Sequence, residues 1–528
     1  MSAFRSVAGL ALGLIVAVTG PAAAENVLRW AFSRGALTFD PHSANSGPDI
    51  MQQVSVYERL LDTSASLKIE PQLAVAWRPV DPVTWEFELR QGVRFHDRAP
   101  FTAEDVVFSL ERARAEHTQY AGYFANISDV RAVNTHVIRI TTRAPDALLP
   151  DRLRKLFIMS KAWAEKHRVV RAADFTSAEE TFATLHANGT GPFILEAFEP
   201  GGRVVMRRNP DWWGREHYPV NVDRMEFTPL AAPEQRIAAL LDGKIELLTS
   251  PPLDALDRIQ KTPGLKLTRT TQLRSVWLGL DQKSRELRSS DIEGRNPFKD
   301  ERVRQAIYQA IDIEMIRDDV MQGLSVPAGM IIPPGVNGHA LELDQRLPHD
   351  PEAARTLLAD AGYSEGFSVT LDCPNNYYVN DEAICRAVAE QLDGIGLAVN
   401  VNAQPHEQFN RKLEAHEVDF WFESYTAATL DSLEVFDLFF RSGGAFNAFG
   451  YANPVVDRLI KELSTASLTY ARDALIEEVW RIVLDDVVFV PLHHQVLVWA
   501  MRENLDLPIT PFNSPVFREA RLKSRKTN

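Results

Sequence analysis

Residues 367–401 read FSVTLDCPNNYYVNDEAICRAVAEQLDGIGLAVNV. Phe367–Leu371 reads as a strand, Cys373–Asn380 as a loop, Asp381 to about Leu392 as a helix, and Leu397–Val401 as a second strand. Two strands joined through a helix lie parallel in one sheet with a right-handed crossover. Ligands of such sheets bind beyond the carboxyl ends of the strands. The loop Cys373–Asn380 stands at such an end, with Asn376, Tyr377 and Tyr378 as candidate contacts. A further strand, Asp419–Tyr425, runs into Thr426–Asp431 and offers a second edge, with Tyr425, Thr426 and Ala428. Aromatic walls give much contact for little entropy loss, so the three tyrosines suit a ligand pocket as well as a core.

Outward from this unit the same grammar repeats. Asp350-Pro351-Glu352 opens a helix that Gly362 ends. Val303–Ile311 and Glu234–Leu241 read as helices; Val204–Met206 and Val276–Leu280 read as strands. Val27–Phe32 is a strand that leads into a loop with Ser33 and Arg34, a third candidate edge. Thr84–Arg90 alternates as a half-buried strand. Thr102, with Asp105 three residues on, makes a capping box that starts a helix toward Ala115. The 528 residues exceed what one core supports, so two or three domains are expected. There is no long linker, so short crossings must join α/β lobes hinged around a cleft, and ligand is expected to close them.

Composition narrows the function classes. The formal net charge is −14, with no basic stripe, so no nucleic-acid partner is expected. Arg5, the apolar run Val7–Val18 and Ala22-Ala23-Ala24 make a secretory signal peptide, residues 1–24, with the mature chain starting at Glu25. No Cys stands at that junction, so the mature protein is expected to be free of a lipid anchor and periplasmic. Cys373 and Cys385 bracket the loop and the following helix start; in an oxidising compartment they pair, or else they are simply buried.

Gly362-Tyr363-Ser364-Glu365-Gly366 matches GxSxG, but a nucleophile elbow needs strand, turn, helix, and here the order is reversed. His493-His494 on a strand point to opposite faces and cannot easily share one ion. No HExxH and no phosphate-binding glycine loop occurs, so neither metal nor cofactor is expected; ligation of nickel or haem by scattered His is the alternative that spacing leaves open. Trp212-Trp213 reads as core.

Residues 77–112, WRPVDPVTWEFELRQGVRFHDRAPFTAEDVVFSLER, carry a resemblance. So do Phe39-Asp40-Pro41, Gly189–Phe193, Arg208–Trp213, Ala238-Ala239-Leu240 with Gly243, Asp300–Asp312, Asp350–Tyr363 and Asn447–Asp457. The chain resembles the dipeptide, oligopeptide and nickel class of extracellular solute-binding proteins, family 5 of the ABC-transporter substrate-binding proteins. The resemblance implies a periplasmic-binding-protein fold: two α/β lobes with a cleft, plus an extra small α/β domain. Lobe I would be discontinuous (25–60, 190–270 and 493–528), domain II would span 61–189, and lobe III 271–492. It implies a monomer that captures a peptide or small solute and delivers it to an ABC permease with its ATPase subunits, and it implies no enzyme. Two departures concern the ligand. Ala428 falls where peptide binders place an Asp for the free amine, and Asn375-Asn376-Tyr377-Tyr378 stands where dipeptide binders place an Arg. Free dipeptides are therefore expected to bind poorly, and aromatic and amide groups are expected to dominate recognition, which suits a neutral, blocked or glycosidic ligand better than a small zwitterion. Arg34 and Arg274 are candidate anionic anchors. The competing readings are a sensor or folding helper on the same fold, which genomic neighbours would separate from an importer subunit, and a secreted hydrolase, which a chromogenic substrate panel would expose.

Overall fold

The computed structural model describes residues 25–64, 67–466 and 469–523. The proposed signal peptide lies outside the described residues. Among the described residues the chain builds an eleven-stranded mixed sheet, a separate four-stranded antiparallel sheet and two small hairpin pairs.

The large sheet is held together by two long antiparallel strands, Leu265–Leu280 and Phe489–Arg502. On one side of this pair lie Phe420–Thr426, Phe367–Pro374 and Leu397–Gln404. On the other lie Leu247–Thr249, Val27–Phe32, Arg224–Pro229, Val204–Arg208 and Phe193–Phe198. Phe367–Pro374 and Leu397–Gln404 pair in parallel, Phe367 against Leu397, with helix Asp381–Asp393 between them in the chain. That is the crossover unit expected from residues 367–401.

Leu265–Leu280 is far longer than the five residues expected. Its first half, Lys266 to Gln272, is polar and carries no strand-like apolar run. Its backbone is nevertheless paired, from Leu265 against Arg502 to Thr271 against Val496. The ladder breaks between Thr271 and Ser275 and resumes. Both long strands thus serve both halves of the sheet, and the slip at 272–274 falls between those halves.

Core packing follows the same division. Leu278, Phe298, Ile307, Leu371, Val388 and Phe422 fill one face of the half around the crossover unit. Trp277, Trp421, Phe436, Phe440 and Trp480 fill the other face. Trp30, Phe227, Trp499 and Phe517 pack the opposite half. The four-stranded sheet has a core of its own with Phe87, Phe101, Leu110 and Ile138, closed by helix Ala103–Ala113. That helix starts with the expected box, Asp105 Oδ2 accepting from the Thr102 N–H at 2.9 Å.

The motif residues mark the joints. The fully buried Asp40 carboxylate meets Arg112 at the end of the capped helix through bonds of 2.5 and 2.6 Å. Glu58 accepts from the indole N–H groups of Trp212 and Trp213 and from the Thr190 hydroxyl; Trp212 is core, as read, and Trp213 is partly buried against it. Ser364 lies exposed in the turn between helix Pro351–Asp360 and strand Phe367–Pro374, the reverse of an elbow. Cys373 and Cys385 form a disulfide that ties the strand end to the crossover helix.

Candidate functional site

A cavity of about 470 Å³ opens at the slip between the two halves of the sheet. Its walls come from helix Gly47–Gln53 and the chain after it, from the segments around Tyr120 and Lys155, and from Gln272 and Arg274 at the slip. Tyr377, Thr426–Ala428 and the stretch Thr510–Arg518 complete it. Both strand-end loops read from the sequence therefore reach one cavity.

The individual residues divide. Tyr377, Thr426 and Ala428 line the cavity. The Tyr377 ring is half exposed and stacks flat on His406, with centroids 3.8 Å apart. Asn376 instead accepts the His406 backbone N–H at 3.0 Å and shapes the loop. Tyr378 sits one layer back, where burial raises the pKa of its hydroxyl. Tyr425 packs edge-on to Phe439 at 5.2 Å; burial, and then the nearby Glu434 carboxylate, raise its pKa.

Ser33 and Arg34 do not line the cavity, contrary to the expectation for that loop. The chain after Phe32 turns onto the neighbouring hairpin, where the Gly201 N–H donates to the Ala36 carbonyl at 2.6 Å. Arg34 is left exposed, and helix Gly47–Gln53 supplies this wall instead.

Charge decides the chemistry of the cavity. Five basic residues line it, Arg59, Arg154, Lys155, Arg274 and Arg518, against one acid, Asp62. Asp62 is already paired with Arg518 at 2.6 Å; burial raises its pKa, but Arg518 and Arg59 outweigh that and hold it low. Arg154 donates to Asp151 at 2.6 Å. Arg59, Lys155 and Arg274 have no ion-pair partner among the described residues. Arg59 lies over the Phe157 ring at 4.4 Å, and its Nε has no hydrogen-bond partner. Burial lowers its pKa, with Asp62 opposing. Burial, and then the Arg154 and Arg59 charges, push Lys155 down to about 8. Arg274 lies over the Tyr378 ring at 5.0 Å, also with an unpartnered Nε.

Unpaired cations in a half-enclosed site are costly unless a counter-charge arrives. The lining is thus not the aromatic and amide surface expected from the two loops alone. Arg274, a candidate anchor from the sequence, is among its cations; Arg59 and Lys155 come from segments that no motif marks. Beside Ala428, the Glu434 carboxylate is consumed by the loop: the Ala428 and Thr429 N–H groups donate to its Oε2 at 3.0 and 2.7 Å.

Residues 68–447 match the model of the bacterial extracellular solute-binding proteins, family 5 Middle. The chain belongs to this family. Glutathione-binding protein GsiB of Salmonella typhi is 25% identical over 532 residues, covering 97% of this chain and 98% of that protein. GsiB of Escherichia coli O157:H7 is 24% identical and covers 89% of each. Among solved structures, HbpA2 from Haemophilus parasuis superposes with a TM-score of 0.81 at 22% identity, covering 94% of this chain and all of that one. The periplasmic binding protein DppA from Helicobacter pylori, solved with the peptide STSA, gives 0.75 at 22% identity, over 95% and 98% of the two chains. The periplasmic-binding-protein fold is therefore shown, and the chain is an extracellular solute-binding protein of family 5. Among the described residues no helix is long and apolar enough to cross a membrane.

Proposed function

We propose that this protein captures a net-anionic, peptide-sized solute with at least one free carboxylate in the periplasm and hands it to an ABC permease and its ATPase subunits. The observation that carries the reading is the convergence of Arg59, Lys155 and Arg274, none of them paired, on one cavity of an otherwise acidic chain. An Arg fork or a lysine ammonium binds a carboxylate through short charge-assisted hydrogen bonds. The lining offers no free acid for a ligand ammonium, because Asp62 is committed to Arg518.

Relatives described as glutathione-binding support the class, since glutathione carries two carboxylates and one ammonium. The division of the walls supports capture by closure. Arg59 and Lys155 stand on one side of the slip in strand Leu265–Leu280, while Tyr377 and Thr426 belong to the half beyond it. A ligand that binds both sides favours the closed lobes by its differential affinity for that state. We read the chain as a monomer with a cleaved leader and no catalytic step.

The test is a thermal-shift screen with matched pairs: glutathione, free dipeptides and opine-like conjugates, each as the free acid and as the amide or ester. A ligand that binds only the folded state raises the melting temperature. Free acids with more carboxylates than ammonium groups should shift it and their amides should not. A shift from neutral glycosides or blocked peptides alone would overturn the reading.

A further inference from the structure

A second cluster of functional groups lies away from the cavity. His494 is fully buried on strand Phe489–Arg502, and its Nε2 lies 3.2 Å from Asp344 Oδ2. His339 Nε2 lies 3.0 Å from the same oxygen. The three candidate donor atoms fall within 4.8 Å of one another. None of these residues lines the solute cavity.

We propose that His339, Asp344 and His494 form a binding site for a borderline divalent transition-metal cation, zinc foremost. The donor set, two imidazole nitrogens and one carboxylate oxygen, suits zinc and its neighbours. Calcium and magnesium call for oxygen-rich shells instead. Metal–ligand bonds of about 2.0–2.1 Å place tetrahedral donors roughly 3.3 Å apart. Two of the three edges are already 3.0 and 3.2 Å. The third edge, between the two imidazoles, lies within 4.8 Å, and the fourth position is left to water.

The surroundings hold the donors in place as outer partners of metal ligands do. Asp344 Oδ1 accepts the Gly329 and Met330 N–H groups at 2.8 Å each, which fixes the carboxylate and leaves Oδ2 to the two rings. His494 Nδ1 lies 2.8 Å from Ser275 Oγ. A metal would take the Nε2 lone pair of His494, and the ring proton would then sit on Nδ1, where the Ser275 oxygen accepts it. Only slight exposure remains at the His339 and Asp344 side chains, which gives a route in without open solvent. Segment 325–346 would be pinned to the long strands; its start, Ser325–Pro327, already pairs with residues 493–495.

The test uses the mature protein, stripped with a chelator and containing no solute, so its outcome is independent of the cavity. Equilibrium dialysis against zinc with elemental analysis should give about one equivalent at micromolar or tighter affinity, as expected for a site with preformed ligands. Cobalt should give visible bands of tetrahedral intensity. His339→Gln and Asp344→Asn should each abolish both signals, while the exposed control His217→Gln leaves them intact. Circular dichroism and melting without metal confirm that each variant is folded; His339→Gln, at the edge of the cluster, keeps the test open if Asp344→Asn does not fold. No zinc uptake by the stripped wild type, or uptake that persists unchanged in folded His339→Gln, would overturn the proposal.

Discussion

The Arg274 guanidinium lies over the Tyr378 ring at 5.0 Å, and this stacking fixes an unpaired charge at the slip between the two halves of the sheet. Arg274 lines the cavity, whereas Tyr378 stands behind it. Removing one partner of a desolvated charge pair typically costs about 2–5 kcal/mol. Arg274→Ala should therefore weaken binding of an anionic solute at least tenfold with little change in melting temperature. Tyr378→Leu should weaken it less, through lost orientation alone. Calorimetry with the best free acid from the screen checks both.

Lys155 gives the cavity a pH dependence. In the free protein it titrates at about 8, so below that pH it is charged and affinity for an anion is flat. As pH rises through 8 the free protein loses the charge, and affinity should fall by up to about tenfold per unit. Lys155→Arg stays charged and should remove this part of the decline. Folding stability moves the other way. The lysine pKa is lowered on folding, so its destabilising contribution is fully present below 8 and is relieved as pH rises toward the unfolded value. Titrations between pH 6 and 10 with both proteins read the difference.

The pair Asp40–Arg112 should dominate the joint between the four-stranded sheet and the N-terminal strand region. Both side chains are fully buried. Burial raises the pKa of Asp40, but Arg112 outweighs it and keeps it below the usual carboxylate range. Asp40→Ala leaves a buried guanidinium unpaired and should cost about 3–5 kcal/mol. Breaking the exposed Arg481–Glu477 pair should cost no more than about 0.5 kcal/mol. Because the folded pKa is lowered, the contribution of Asp40 holds above the unfolded value and is lost as pH falls through the folded one. Chemical denaturation at several pH values separates these cases.

The Cys373–Cys385 bridge closes a short loop that carries Tyr377. In the chain-entropy model, removing it with paired Ser substitutions should cost about 3 kcal/mol. The same variant should bind solute more weakly, since the Tyr377–His406 stack loses its support. Denaturant unfolding and calorimetry, each with and without reductant, check both effects.

How much of this was legible in the sequence varies by element. The crossover unit of residues 367–401 was, because its strands and helix are each set by local patterning. The polar half of strand Leu265–Leu280 was not, because its pairing comes from Phe489–Arg502, more than two hundred residues on. Tyr377, Thr426 and Ala428 line the cavity, where the strand-end reading of the sequence looked for a site. Tyr378 and Tyr425 share those loops but alternate inward, which no loop reading resolves. Arg59 and Lys155 belong to no sequence motif, and only the closing of the walls brings them to one cavity, without ion-pair partners among the described residues. His339 and Asp344 lie about 150 residues before His494, so no spacing rule brings them together.

The proposed selectivity of the cavity is for negative charge. The most direct measurement is calorimetric titration of the folded, ligand-free protein with glutathione, acidic dipeptides and opine-like acids, beside the matching esters or amides at the same pH. Each tenfold in affinity corresponds to about 1.4 kcal/mol, and removing the charge that faces Arg59, Lys155 and Arg274 removes at least one such factor. At least one free acid should bind at micromolar affinity or tighter, and its neutral derivative at least tenfold more weakly. Neutral derivatives that bind as tightly as the acids, or a panel in which only neutral solutes bind, would contradict that selectivity.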